Sequence, residues 1–255
     1  MKKILGLFAV FIVFAGFAQT PERQLLQLKI YTFANTAQLQ TTENYLENAF
    51  LPALRRLNVK KTGVFKMRVP DSTGQKLFVL IPFKNLAELN KLESQLEKDT
   101  IYAQAGASYL ESLFDNVPYQ RIETILLYAF KDMPQLTPTQ VTGARTERVY
   151  ELRSYQSPTE AYFKNKVKMF NEGGEISLFK ELNFNAVFYG EVISGPDMPN
   201  LMYMTTFINQ EDRDEHWKAF VDSPEWKSMS TDPKYQHNVS HIDITFLYPT
   251  EYSDY

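Results

Sequence analysis

Leu26-Gln-Leu-Lys-Ile-Tyr31 and Tyr150-Glu-Leu-Arg-Ser-Tyr155 are two copies of one strand opening. Tyr31 and Tyr155 stand 124 positions apart, and so do Phe83 and Phe207, which end Lys76-Leu-Phe-Val-Leu-Ile-Pro-Phe83 and Asn200-Leu-Met-Tyr-Met-Thr-Thr-Phe207. The last strands drift slightly: Ile122 of Arg121-Ile-Glu-Thr-Ile-Leu-Leu-Tyr128 and Ile242 of His241-Ile-Asp-Ile-Thr-Phe-Leu-Tyr248 are 120 apart. A spacing held over three elements is the mark of an internal duplication, so the fold must be sought in one half and then doubled.

In the first copy Leu26, Leu28 and Ile30 alternate with Gln27, Lys29 and Tyr31, the period of a strand with two unlike faces. A helix is predicted from about Thr41 through Leu57, with Pro52 bending or restarting it. Two strands follow, 62–69 and 76–82, joined as a hairpin by Asp71-Ser-Thr-Gly74. Asn85, with Glu88 three positions on, opens a second helix carrying Leu86, Leu89, Leu92 and Leu96, and a strand over 121–130 closes the unit. The order is βαββαβ, a ferredoxin-like arrangement. The Pro- and Thr-rich stretch 132–147 lacks apolar periodicity and reads as a linker between modules at 25–131 and 148–250. In the second module Ser157-Pro-Thr-Glu160 and Ser223-Pro-Glu-Trp226 read as helix caps followed by proline in the first turn, and Gly173-Gly174 interrupts a helix.

Met-Lys-Lys, an apolar run from Ile4 to Phe14, and small residues at Gly16 and Ala18 form the pattern of a secretory signal peptide over residues 1–18. The run is short for a bilayer span, so no stable membrane insertion is expected after cleavage, and the expected location is periplasmic or extracellular. The chain has no cysteine, hence neither disulfides nor a lipid-modified cysteine. A net charge of −3 offers no basic face for phosphate backbones and argues against nucleic acid. No metal site or cofactor is expected. His237 and His241 are four apart, but the second begins a strand and lacks the helical spacing that places two ligands side by side.

Met169-Phe-Asn-Glu-Gly-Gly-Glu175, Met198-Pro-Asn-Leu-Met-Tyr-Met204 and His216-Trp-Lys-Ala-Phe-Val-Asp-Ser-Pro-Glu-Trp226, together with Tyr150-Glu-Leu-Arg-Ser-Tyr155, resemble the NIPSNAP family over about residues 148 to 250. The spacing of Trp217, Phe220, Pro224 and Trp226 is the most specific part. The resemblance implies the dimeric α/β barrel superfamily, in which two ferredoxin-like units press their sheets together. Here both units would lie in one α+β chain as an intramolecular dimeric α/β barrel. The first copy departs from the pattern, with Glu93, Leu96, Thr100 and Tyr102 where the second has its tryptophan run.

Glu151, Arg153 and Tyr155 share one strand face, matched by Gln27, Lys29 and Tyr31 in the first copy. If the aliphatic faces carrying Leu28 and Leu152 pack on the helices, Lys29, Tyr31, Glu151, Arg153 and Tyr155 point between the sheets and form a ligand pocket. The bland alternative is a Glu and Arg pair bridging strands. Glu151 and Glu175 are the candidate general bases, Glu175 beside the Gly173-Gly174 break, which equally reads as a helix restarting at a new angle. Trp217 and Trp226 read as core anchors rather than stacking platforms, and His216 as an edge residue rather than a haem ligand. Three functions stay open: a binding protein for a small organic ligand between the sheets, a cofactor-free monooxygenase or isomerase of the superfamily's type, or a protein interaction module exposing Phe188 or Met202.

Overall fold

In the computed structural model, residues 22–70, 74–137, 139 and 141–255 are described; the expected signal peptide and most of the turn at 71–74 lie outside them. The first module runs β1 (Leu25–Thr32), α1 (Thr36–Tyr45), a π-helical turn (Leu46–Phe50), α2 (Leu51–Arg56), β2 (Gly63–Met67), β3 (Lys76–Phe83), α3 (Leu86–Leu96), α4 (Thr100–Leu110) and β4 (Arg121–Ala129). The second runs β5 (Val149–Gln156), α5 (Glu160–Asn171), α6 (Glu175–Glu181), β6 (Phe188–Ser194), β7 (Asn200–Phe207), α7 (Gln210–Asp222), α8 (Pro224–Thr231), a short 3-10 turn (Pro233–Tyr235) and β8 (His241–Pro249).

Each module orders its strands as a ferredoxin-like sheet, and edges meet where β2 pairs with β8 and β4 with β6. The result is one closed antiparallel barrel in the order β1-β3-β2-β8-β5-β7-β6-β4. Register repeats with the sequence: Tyr31 lies opposite Leu77 and Ile122, Tyr155 opposite Leu201 and Ile242. Because neighbours are antiparallel all round an eight-strand ring, strands on opposite sides point the same way. The pseudo-twofold axis relating the modules therefore runs along the barrel axis, and equivalent residues face each other across it.

The barrel interior is a single apolar cluster drawn from both modules, including Leu26, Leu28, Phe78, Leu80 and Leu127 from the first and Tyr150, Leu152, Phe188 and Met204 from the second. Leu136 of the linker and Tyr255 join it and close one end. The tail is tied there by Arg145, whose Nη1 donates to the carbonyls of Thr250 (2.9 Å), Ser253 (3.2 Å) and Tyr255. Each module has a second core under its own helices.

Local signals place the helices. Asn85 accepts from the Glu88 amide (3.1 Å) while Glu88 returns a bond to the Lys84 amide, the expected box. Ser223 caps α8 through the Trp226 amide (3.1 Å). The cap of α5 is Thr159, not Ser157, whose hydroxyl instead donates to the Asn238 carbonyl (2.7 Å). The first helix starts at Thr36, capped by Asn35, earlier than the apolar period alone indicated, and α4, capped by Asp99, carries too weak an apolar stripe to be read from sequence. The π-helical turn ends just before Pro52, whose missing N–H and ring bulk break the regular ladder.

Candidate functional site

Alternation on β5 sends Tyr150 and Leu152 into the barrel and Glu151, Arg153 and Tyr155 outward beneath α5–α8. This reverses the expected assignment. Lys29, Tyr31, Glu151, Arg153 and Tyr155 do not line the space between the sheets; the aliphatic faces do. The reason is the closed barrel. Deep in its interior two sheets offer no partner for a charge, so the face carrying Leu28 and Leu152 goes inside, while the helix layer can supply partners to the charged one.

In the second module those partners form a buried network. The Glu151 carboxylate is fully buried and accepts four hydrogen bonds: Oε1 from Arg153 Nε (2.7 Å) and Arg213 Nη2 (2.8 Å), Oε2 from Arg213 Nε (2.8 Å) and Trp217 Nε1 (2.7 Å), with Arg153 Nη2 in ion-pair contact at 2.6 Å. Arg213 thus grips it as a fork. The Arg153 guanidinium lies 3.7 Å from the Trp217 ring centre and its Nη1 donates to the Tyr155 hydroxyl (3.0 Å), which bonds that of Tyr203 (2.8 Å). Burial opposes ionisation of Glu151, but hydrogen bonding from Arg213 and the charges of Arg153 and Arg213 outweigh it and hold its pKa below the usual carboxylate range. Nearby, Lys166 Nζ donates to Glu175 Oε2 (2.8 Å), both residues buried, among the rings of Tyr155, Phe170 and Trp226. Burial pushes the Glu175 carboxyl up, against the pull of Lys166. Both candidate bases are desolvated, yet both are committed to cations. Glu151 has no oxygen left over.

Arg213 was not marked in the sequence. Its signal was available: it precedes Trp217 by four positions, so one helix face carries both donors. Trp217 and Trp226 pack in the second module's core, as expected of anchors, and Trp217 adds its indole bond. The Gly173-Gly174 break has packing causes. A Cβ on Gly173 would stand 2.5 Å from the Met169 carbonyl and 2.7 Å from the Tyr235 hydroxyl, and Gly174 sits at φ +93, where a side chain is strained. His216 Nδ1 lies 2.7 Å from the Asp212 carbonyl of its own helix. In the first module Lys29 rests 5.5 and 5.6 Å from the ring centres of Tyr31 and Phe50, and Tyr31 belongs to that module's core. Tyr189 and Tyr203 face the helix layer; Glu191 meets Arg23 near the surface. Phe188 and Met202 are buried inside the barrel, which removes the exposed patch expected of an interaction module. Among the described residues no group of three or more His, Asp or Glu is placed to hold a metal ion, and no helix is long and apolar enough to cross a membrane.

The end of the barrel opposite Leu136 and Tyr255 is open. Inward residues of both modules line a cavity of about 290 Å³ there, with the buried Phe78, Ile125, Leu152 and Met202 at its floor, the half-buried counterparts Ile30 and Ser154 beside them, and the exposed Glu123 and Asp243 at the rim. Asn200 is buried and exchanges bonds with Ser154 (2.8 and 3.1 Å). An apolar floor with a few fixed polar groups above it is the composition of a small-molecule site, at the small end of the usual size range.

A closed ring of two ferredoxin-like units with helices outside defines a dimeric α/β barrel contained in one chain. Its second half is a NIPSNAP domain: the family's model matches residues 150–254. No curated protein matches the chain. Among solved structures, a candidate monooxygenase from Lactobacillus acidophilus is similar over 89% of this chain and 94% of its own, at 14% identity and a TM-score of 0.58. A second candidate monooxygenase, from Fusobacterium nucleatum, covers 89% and 93% at 8% identity and 0.56. A NIPSNAP family protein from Agrobacterium tumefaciens matches 42% of this chain and 97% of its own at 19% identity and 0.38. At these identities the likeness is one of fold.

Proposed function

We propose that this is an exported binding protein that holds a small organic ligand between its two sheets, in the open mouth of the barrel. The observation that carries the reading is the asymmetry of the barrel ends: Leu136 and Tyr255 fill one, while the other keeps a cavity of about 290 Å³ to which both modules contribute. Export rests on the Met-Lys-Lys, apolar run and small residues of positions 1–18. The oxygenase or isomerase reading loses its bases, because Glu151 and Glu175 are tied to Arg153, Arg213 and Lys166.

The test is thermal-shift and native mass spectrometry with aromatic acids, quinones, haem and alkyl amines, on the protein and on Thr245→Trp, which fills the mouth from β8. A compound that binds the native protein and not the filled one supports the reading. Binding that survives Thr245→Trp, or no binding across the panel, overturns it. Export is tested by the mass of the accumulated protein, which should lack residues 1–18.

A further inference from the structure

Glu123 and Asp243 occupy equivalent positions on equivalent strands, 120 residues apart. Both line the mouth. Glu123 on β4 lies opposite Ile30 in register, and Asp243 on β8 opposite Ser154, the counterpart of Ile30. In the ring, β4 and β8 are four strands apart, hence on opposite walls. The two carboxylates therefore face each other across the pseudo-twofold axis, above a floor of Phe78 and its counterpart Met202, with Ile125 and Leu152. Asp197, from the β6–β7 connection, adds a third carboxylate to the lining, against the single ammonium of Lys76. Within the described residues Glu123 and Asp197 stand in no ion pair, while Asp243 meets His241 Nε2 (3.1 Å) and Gln156 Nε2 (3.3 Å). Arg121 and His241 are the next inward positions toward the rim, and Arg121 donates to the Gln120 carbonyl (2.7 Å).

Building on the mouth as the binding site, we infer that its ligand is an amphipathic organic amine, its ammonium held between Glu123 and Asp243 and its hydrocarbon body on the Phe78 and Met202 floor. An organic anion of the same shape meets carboxylates on both walls. The like charges disfavour it at the step where it also loses water. Opposed carboxylates on a twofold frame also suit a ligand with nitrogen at both ends.

Isothermal titration of octylamine, 1,8-diaminooctane, octanamide and octanoate into the protein, expressed from its full sequence and purified in the form that accumulates, tests this. The expected result is an amine at least about tenfold tighter than octanoate, a preference erased when Glu123→Gln and Asp243→Asn are combined. Both side chains are exposed, so the double variant should melt close to the native protein. Octanoate binding as tightly as octylamine, or amine affinity within about twofold of native in the double variant, overturns the inference. If octanamide and octanoate bind as well as the amine and Thr245→Trp abolishes all three, the amine inference fails while the mouth remains the site. If Thr245→Trp changes no probe, both fail.

Discussion

Glu151→Gln probes the largest concentration of buried charge in the second module. The substitution keeps the shape and removes the charge that answers two guanidiniums, whose side chains are only 11% and 17% exposed. A glutamine can offer one oxygen to donors that now occupy two, and its own amide hydrogens point at Arg213 or Trp217. Removing one partner of a buried ion pair costs about 3–5 kcal/mol. Both arginines keep some contact with water, so the lower part of that range, about 3 kcal/mol, is expected. In urea unfolding this is a midpoint shift of roughly 1 M for a chain of this size, read against Glu191→Gln as control. Glu191 pairs with Arg23 at 27% and 37% exposure, and its loss should cost at most about 1 kcal/mol. A midpoint for Glu151→Gln no lower than that of Glu191→Gln refutes the network as a source of stability.

The same comparison has a pH signature. The folded pKa of Glu151 is below its usual 4.5, so the folded state holds the proton less tightly than the unfolded chain. Its contribution is complete above about 4.5 and is lost as pH falls through the folded value. The stability gap between native protein and Glu151→Gln should therefore be constant near neutrality and narrow in acid. A gap that widens below pH 4.5 contradicts the assignment of a depressed pKa.

Gly174→Ala should cost about 1–2 kcal/mol from its positive φ alone, measured by thermal melting. Tyr255→Ala, which opens the closed end of the barrel, should cost about 3–5 kcal/mol in urea, whereas Tyr255→Phe should be near neutral because the buried hydroxyl has no hydrogen-bond partner. Ser223→Ala should cost about 1 kcal/mol through the lost cap of α8, seen in the same unfolding assay.

Much of this fold was legible because a repeat fixes pairing as well as element order. Once Tyr31 and Tyr155 were matched, the register of both sheets followed, and the interface between modules needed only their free edges. What alternation could not decide was which face of β5 goes inside. Period two is the same whichever side is buried, and the choice depends on partners supplied far away in sequence. Glu151 can be buried only because Arg213 and Trp217, more than sixty residues later, arrive on α7. The mouth was missed for a related reason. Its polar residues sit near strand ends, where Glu123 and Asp243 look like ordinary solvent-facing positions until the ring is closed.

The two copies show what duplication lets change and what it holds. At the positions equivalent to Glu151, Arg213 and Trp217 the first module has Gln27, Leu89 and Glu93. The carboxylate and its two helix-borne donors are all absent there, and Leu89 packs against the apolar core. Intermediate combinations would bury an unanswered charge, so such a network is kept or discarded whole. Lys29 lies over aromatic rings where Arg153 meets a carboxylate, so at this strand position the first module relies on aromatic packing, and an outer-face ion pair stands elsewhere, between Lys66 and Glu43 (2.6 Å). At the mouth the copies agree only in part: an acid stands at Glu123 and at Asp243, with Phe78 and Met202 equivalent, while Ile30, Lys76 and Ile125 are answered by Ser154, Asn200 and Thr245. Under the first module's helices a Gln27→Glu substitution should gain at most about 1 kcal/mol in urea, because position 27 is half-buried, Lys29 is the only cation on its strand face, and no Arg or Trp arrives from α3; a larger stabilisation would break this argument.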